Sequence, residues 1–281
     1  GQYDNALKYY EEALAIARKL GQEDNVAIRL NNIGSVYDDW GQYDKALKYF
    51  KEALAIAREL GQEGYVALYL NNIGNVYHDW GQYDKALKYY EESLVIDKKL
   101  GQEDGVATDL NNIGGVYHDW GQYDKALKYY EESLVIDKKL GQEDSVATDL
   151  NNIGNVYHDW GQYDKAIKYY KEALAIARKL GQEANVAIRL NNIGSVYYSR
   201  GQYDNALKYY EEALAIDKRL GKEDGFAVRL NNIGSVYYLQ GKYKTSIKYF
   251  TESVKIKEEL RKTATGDIRR DYLASQLYTY Q

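Results

Sequence analysis

Apolar residues fall on two alternating stripes along this chain, each spaced for a helix. Between residues 26 and 61, Leu30, Ile33, Gly34 and Tyr37 stand at i, i+3, i+4 and i+7, which is one face of a 3.6-residue helix. Tyr43, Ala46, Leu47, Phe50, Ala53, Leu54, Ala57 and Leu60 make a second, longer stripe. Gly41 and Gly61 follow the two stripes, and glycine takes the left-handed conformation that closes a helix at no steric cost. The chain contains no proline, so glycine alone punctuates it.

The pattern recurs every 40 residues. The block Leu-Asn-Asn-Ile-Gly-x-Val-Tyr occupies 30–37, 70–77, 110–117, 150–157, 190–197 and 230–237. A period of this size means a stacked array, in which each unit buries its apolar face against its neighbours. Six helix pairs are expected. Their first (A) helices lie near 25–39, 65–79, 105–119, 145–159, 185–199 and 225–239, each followed by a second (B) helix. A single helix at about 3–20 precedes them. Its stripe of Tyr3, Ala6, Leu7, Tyr10 and Leu14 is expected to be exposed. Gly34 and its equivalents sit where the helices of a pair cross. Close packing must justify them, because a mid-helix glycine costs about 0.8–1 kcal/mol against alanine.

Leu30, Ile33, Gly34, Tyr37, Ala46, Phe50 and Ala53 fall at the signature spacings of the tetratricopeptide repeat, which the chain resembles over residues 1 to about 260. The resemblance implies an all-α fold: an α-solenoid of tandem antiparallel helix pairs, wound as a right-handed superhelix. The period of 40 rather than about 34 points to a longer B helix and linker. Leu30 stands where the motif often has Trp, and the usual closing proline is missing. Forty-residue units look like those of Pins-type adaptors and kinesin light chains.

In tetratricopeptide arrays the outward side of the A helix lines a concave groove. That resemblance places Asn31, Asn32, Asn71, Asn72, Asn111, Asn112, Asn151, Asn152, Asn191, Asn192, Asn231 and Asn232 along the groove. Ser35, Asn75, Gly115, Asn155, Ser195 and Ser235 would lie between them. A carboxamide donates and accepts, so a row of them suits the backbone of an extended peptide. The block is similar to that of the O-linked N-acetylglucosamine transferase array, whose second asparagines hold peptide; by position this implicates the Asn32 series. The alternative is that the asparagines tie the helices of adjacent repeats together, and both roles can coexist.

The lower groove varies along the array. His78, His118 and His158 occupy one position in the middle repeats, and Tyr198 and Tyr238 occupy it later. Arg29, Tyr69, Asp109, Asp149, Arg189 and Arg229 are expected at the groove rim, making the middle acidic and the C-terminal part basic and aromatic. An extended ligand with a basic segment and an acidic end would suit that polarity. The three histidines do not suggest a metal, because equivalent residues on neighbouring helices are about 8–10 Å apart and zinc needs nitrogens at about 2.1 Å. Any His–Asp coupling has to come from contacts between repeats. Trp40, Trp80, Trp120 and Trp160 close the early A helices and give way to Arg200 and Gln240; packing against the next turn is the plain reading, an aromatic ligand surface the other.

Composition narrows the functional classes. There is no cysteine among the 281 residues, and the net charge is −5, so neither thiol chemistry nor a basic nucleic-acid footprint is available. No run approaches the roughly 18 apolar residues of a membrane span, and no signal peptide is visible. A cytoplasmic setting is the default. No phosphate loop, HExxH or GxSxG motif occurs, and the carboxylates recur as near-identical copies rather than as one unique constellation. No catalytic residue and no cofactor are expected.

The chain opens on Gly1 in mid-repeat and has no methionine, which suggests a piece of a longer protein. After Leu260 the period breaks. Residues 261–281 are expected to be a capping helix or a linker, with Asp267 capping a helix that carries Ile268, Tyr272, Leu273 and Leu277. Arg269, Tyr272, Ala274 and Ser275 resemble the junction at which 40-residue repeats lead into bacterial CHAT peptidase domains. That would make the chain a regulatory arm, with catalytic residues elsewhere. The leading expectation is a non-catalytic scaffold that holds a peptide or protein segment in its groove. The alternative is a structural module that associates head to tail with other copies; neither nucleic acid nor membrane is expected as a partner.

Overall fold

In the computed structural model, residues 2–263 are described, and they form thirteen α-helices. These are α1 (Gln2–Lys19), α2 (Glu23–Asp39), α3 (Tyr43–Glu59), α4 (Glu63–Asp79), α5 (Tyr83–Leu100), α6 (Glu103–Asp119), α7 (Tyr123–Leu140), α8 (Glu143–Asp159), α9 (Tyr163–Lys179), α10 (Glu183–Ser199), α11 (Tyr203–Leu220), α12 (Glu223–Leu239) and α13 (Tyr243–Thr263). Even-numbered elements are the A helices. The helix expected from Asp267 lies outside the described residues. Arg261, Lys262 and Thr263, expected in a polar connection, belong to α13; the rest of that expected connection lies outside the described residues.

Punctuation comes every 20 residues, after A and B helices alike. Twelve glycines from Gly21 to Gly241 have positive φ between 64° and 77°. At the end of α2, Gln42 N–H donates to Tyr37 C=O at 2.8 Å and Gly41 N–H to Asp38 C=O at 2.7 Å. These bonds satisfy carbonyls that a helix end leaves free. The turn from B to the next A helix is built the same way, as at Gly61 and Gln62. The length beyond the usual period therefore sits in both helices of the pair, and no added linker is present.

The described residues form two compact units, 2–136 and 137–263. In the first, α4 and α5 show how a pair is joined. Tyr77 stacks on Tyr89 with centroids 5.5 Å apart, Gly74 lies under Tyr90, and Ser93 Oγ donates to Ala67 C=O at 3.1 Å. Partners ascend on one helix as they descend on the other, so the pair is antiparallel. A Cβ on Gly74 would stand 2.6 Å from Tyr90 Cε1; the close approach expected at the crossing is real. Leu30, Ile33, Leu70, Ile73, Phe50 and Tyr90 are essentially sealed from solvent in one continuous core. Each such side chain contributes roughly 1.5–3 kcal/mol of burial.

The second unit uses the same joint. Tyr197 stacks on Tyr209 at 5.4 Å, Gly194 lies under Tyr210, and Ile233 and Val236 are fully buried against Ala206 and Tyr210.

The expectation for α1 needs correction. Leu7 and Leu14 are buried and Tyr3, Ala6 and Tyr10 pack against the core, because a B helix turns that stripe toward the following A helix. Its exposed large apolar residues are Tyr9 and Ile16, on another face, and Leu20 just beyond its end is exposed too.

Candidate functional site

Asparagines at the paired positions bridge consecutive A helices. In the first unit Asn72 Nδ2 donates to Asn31 Oδ1 at 2.7 Å, and Asn112 Nδ2 to Asn71 Oδ1 at 2.9 Å. In the second unit Asn192 Nδ2 donates to Asn151 Oδ1 at 2.9 Å, and Asn232 Nδ2 to Asn191 Oδ1 at 2.8 Å. The second asparagine of one repeat thus grips the first asparagine of the repeat before it. A carboxamide has two N–H donors and two acceptor lone pairs. After this bond Asn72, Asn112, Asn192 and Asn232 each keep Oδ1 and one N–H, on half-buried side chains. Asn32, Asn111, Asn152 and Asn231 are half-buried at the same two positions.

Histidines occupy the bottom of the same helix face without gathering. His78 Nε2 lies 2.8 Å from Asp119 Oδ2 on the next A helix, a coupling between repeats. His158 Nε2 lies 3.1 Å from Ser199 Oγ, again one repeat on. Each histidine ring also meets the first tyrosine of its own B helix, as His78 meets Tyr83 and His158 meets Tyr163. Tyr198 and Tyr238 keep that ring contact with Tyr203 and Tyr243. Among the described residues no group of three or more His, Asp or Glu is placed to hold a metal. Beside this row, Asp38 is half-buried and faces Asp79 and Asp39. Desolvation first, and then those two charges, push its carboxyl up to about 7.

The expected rim does not exist as a surface. Tyr69, Asp109, Asp149, Arg189 and Arg229 are buried, and only Arg29 is partly open. This position turns inward, against the end of the preceding B helix. There the structure holds polar groups that sequence reasoning missed. Asp109 is fully buried, takes a 2.6 Å bond from Asn71 Nδ2 and shares a side-chain hydrogen bond with Asp97. Asn71 also donates to Ser93 Oγ at 2.8 Å. Burial pushes the Asp109 carboxyl up to about 7, and burial raises Asp97 as well; two carboxyls in one dry contact favour a shared proton. In the second unit the same two positions carry Asp217 and Arg229, 3.3 Å apart and both buried. Burial raises the Asp217 carboxyl and lowers the Arg229 guanidinium, each against the pull of the other's charge.

A signal for these contacts was present in the differences between repeats. Asp97, Asp137 and Asp217 replace Ala17, Ala57 and Ala177, and each aspartate is accompanied by a small residue eight positions on: Gly105, Ser145 and Gly225. The alanines are accompanied by Asn25, Tyr65 and Asn185. A Cβ on Gly105 would meet Asp97 Oδ2 at 2.1 Å, so the carboxylate occupies the space of the missing side chain. A similar pairing explains the residues placed between the asparagines. Asn75 and Asn155 accept from the hydroxyls of Tyr90 and Tyr170 at 2.6 and 2.7 Å, and Ser195 accepts from Tyr210 at 3.1 Å. Where phenylalanine replaces that tyrosine, at Phe50 and Phe250, Ser35 and Ser235 bond back to their own helix instead.

Helix pairs of fixed period, joined by an aromatic crossing and a polar ladder, define a helical-repeat scaffold. The chain belongs to the tetratricopeptide repeat family: the family model matches residues 1–59, 65–139, 110–179 and 185–259. It is similar to BtubC from P. vanneervenii, with 23% identity over 95% of each chain and a TM-score of 0.63. It is also similar to the kinesin light chain TPR-like repeats of Podosopora anserina, with 16% identity over 69% of this chain and 95% of that one, and a TM-score of 0.58. A third similar structure is a Rap protein complexed with competence and sporulation factor, with 16% identity over 86% of this chain and 77% of that one, and a TM-score of 0.64. At these identities the likeness shows the fold alone. No curated protein matches by sequence. Among the described residues no helix is long and apolar enough to cross a membrane.

Proposed function

We propose that the chain is a non-catalytic scaffold that holds an extended peptide or protein segment along its A-helix face. The observation that carries this reading is the state of the asparagine ladder. The bond between repeats fixes each carboxamide, and a fixed group loses less freedom when a ligand arrives. The remaining Oδ1 and N–H of Asn72, Asn112, Asn192 and Asn232 recur once per repeat. They offer an acceptor and a donor to a peptide backbone, whose own N–H and C=O demand partners. Structural and ligand-holding roles are thus two uses of one side chain. His78, His118, His158, Tyr198 and Tyr238 line the same face and vary, so they select among sequences, while the asparagines grip any extended chain. A Rap protein of this fold, solved with competence and sporulation factor, is in keeping with such a use.

The test begins with a peptide selected from a randomised display library against the intact chain. Calorimetry then compares it on the wild type and on Asn192→Ala/Asn232→Ala. Loss of two ladder contacts should weaken binding about tenfold or more while helicity by circular dichroism is kept. Equal affinity on the folded double variant would refute the ladder as the grip.

A second reading rests on exposed apolar residues at the first and last described helices. Tyr9 and Ile16 on α1, Leu20 just after it, and Ile247 and Val254 on α13 are at least half exposed. Copies of the chain would then associate head to tail through these faces. Sedimentation should show concentration-dependent association that Ile16→Glu or Ile247→Glu abolishes; a wild type that stays monomeric at high concentration removes this reading.

A further inference from the structure

The turns that join A to B helices form an edge of the first unit, away from the asparagine row, and this edge is built from tryptophan, tyrosine and aspartate. Trp40 stacks on Tyr3 with centroids 5.5 Å apart and planes at 22°. Trp80 meets Tyr43 at 5.8 Å, and Trp120 meets Tyr83 at 5.9 Å. Trp80 and Trp120 are each 40% exposed, a large opening for the most apolar ring in the chain. Trp80 and Tyr43 wall an open cleft of about 360 Å³, whose other lining residues are Gly41, Gln42, Asp44 and Lys45.

The two opposite charges at this cleft, Asp44 and Lys45, are not paired with each other. Lys45 Nζ lies 5.0 Å from the Tyr37 ring centroid, and Lys85, its equivalent, lies over Tyr77 and donates to Gln82 Oε1 at 2.6 Å. Asp44 and Asp84 are exposed, and among the described residues neither makes a hydrogen bond or an ion pair. The second unit shows what the same aspartate does when a partner is supplied. There Arg200 replaces the tryptophan and donates to Asp164 at 2.5 Å. Gln240 does so in the next repeat, reaching Asp204 at 3.2 Å. Each of these pairs is 36 positions apart in sequence, as Trp80 is from Asp44 and Trp120 from Asp84. Packing alone does not require tryptophan at this position, since the array closes the same turn with arginine and glutamine.

We propose that the Tyr43–Trp80 cleft and the equivalent Tyr83–Trp120 ring pair, with Asp44 and Asp84, take up the cationic side chains of a basic, extended segment of a partner protein. An aromatic face attracts a guanidinium or ammonium, and the adjacent carboxylate, in the first turn of its helix, supplies an opposite charge that no side chain among the described residues pairs. Equivalent turns of touching A helices are about 8–10 Å apart. An extended chain rises about 3.3 Å per residue, so cations about three residues apart fit successive clefts. This surface is separate from the asparagine row, and the partner segment would run along the edge without entering the groove.

The probe is a capped peptide of repeated Arg-Gly-Gly triplets, with a Glu-Gly-Gly peptide as its counterpart. Binding is read by tryptophan fluorescence and calorimetry at low salt, and again at high salt, where screening should release the peptide. Asp44→Asn/Asp84→Asn changes only exposed groups and should weaken the arginine peptide about tenfold. Trp80→Arg/Trp120→Arg imports the arrangement of Arg200 and Asp164; it should stay folded by circular dichroism and lose binding altogether. Asn192→Ala/Asn232→Ala should leave this binding unchanged. No binding to the wild type, equal affinity of the two peptides, or undiminished affinity on Asp44→Asn/Asp84→Asn would each overturn the proposal.

Discussion

At one place in the repeat the two units solve the same burial problem with opposite chemistry. In the first unit Asp97 meets Asp109, with Asn71 and Ser93 bonded around them. In the second unit Asp217 meets Arg229 at 3.3 Å. Both contacts seal a B helix against the next A helix, and both are dry. One combines the Asn71 amide donor with two carboxyls whose burial favours a shared proton; the other is held by opposite charge. Repeats that look interchangeable in their apolar stripes are therefore matched to specific neighbours through a few buried polar groups, whose cost when mispaired is high.

The largest effect should come from removing the cation. Arg229→Ala leaves the Asp217 carboxylate buried without its counter-charge, which typically costs about 3–5 kcal/mol. Urea unfolding at pH 8 should show this loss, with fast amide exchange in α11 and α12. Arg229→Ala/Asp217→Ala restores the alanine found at Ala57 and Ala177 and should recover most of it. If the single and double variants are equally unstable, the pair is not what closes this contact.

The acidic contact should respond with the opposite sign. Asp109 has a folded-state value near 7 against an ordinary 3.8. Between those values the folded chain binds more protons than the unfolded one, so stability falls as pH rises from about 4 to 7. Asp109→Asn mimics the protonated carboxyl, keeps an acceptor for Asn71 and can donate to Asp97. It should stabilise the protein by about 2–3 kcal/mol at pH 8, have little effect at pH 4, and flatten the pH dependence. Part of the slope will remain, because Asp38 is raised over the same window. Asp217→Asn, at the matching place in the other unit, should instead destabilise at pH 8. Thermal unfolding across the pH range checks both signs.

Asn71 and Asn191 differ by a smaller margin. Asn71 donates to Asp109 and to Ser93 while accepting from Asn112; Asn191 accepts from Asn232. Asn71→Ala strips the acidic contact of its donor and should cost about 1–3 kcal/mol, whereas Asn191→Ala should cost about 0.5–1.5 kcal/mol. Denaturant midpoints at neutral pH separate the two, and equal losses would mean that Asn71 does not support the carboxyl pair.

The repeat and its helices were legible because they rest on periodic apolar spacing, and spacing is written in sequence. Leu30, Ile33 and Gly34 say where the core is without reference to any other segment. The direction faced by the position of Asp109 was not legible in the same way. A helical wheel drawn from one helix puts Asp109 beside the open face, and charge argues for solvent; burial is decided by the end of another helix, which only the stacking brings near. The clue was relational, in the joint change of residues 97, 105 and 109 between repeats. Likewise the asparagines read as outward-facing, and the structure adds that Asn72, Asn112, Asn192 and Asn232 are each half-committed to a neighbouring repeat. The exposed carboxylates of Asp44 and Asp84 look like those of Asp164 and Asp204 in sequence and differ only in what stands 36 residues later.

The smallest effect concerns contacts that the two units share. Arg58 pairs with Glu92 at 2.5 Å in the first unit, and Arg178 with Glu212 at 2.7 Å in the second. All four side chains are at least two-fifths exposed. Water screens such pairs, and ordering two long side chains costs entropy, so each coupling should lie within about 0–1 kcal/mol. Double-mutant cycles with Arg58→Ala/Glu92→Ala and Arg178→Ala/Glu212→Ala should return equal values that vanish in high salt. A coupling well above that range in one unit alone would move the difference between the units from their interior to their surface. Equal, small couplings place it where burial makes charge expensive, at Asp109 and Arg229.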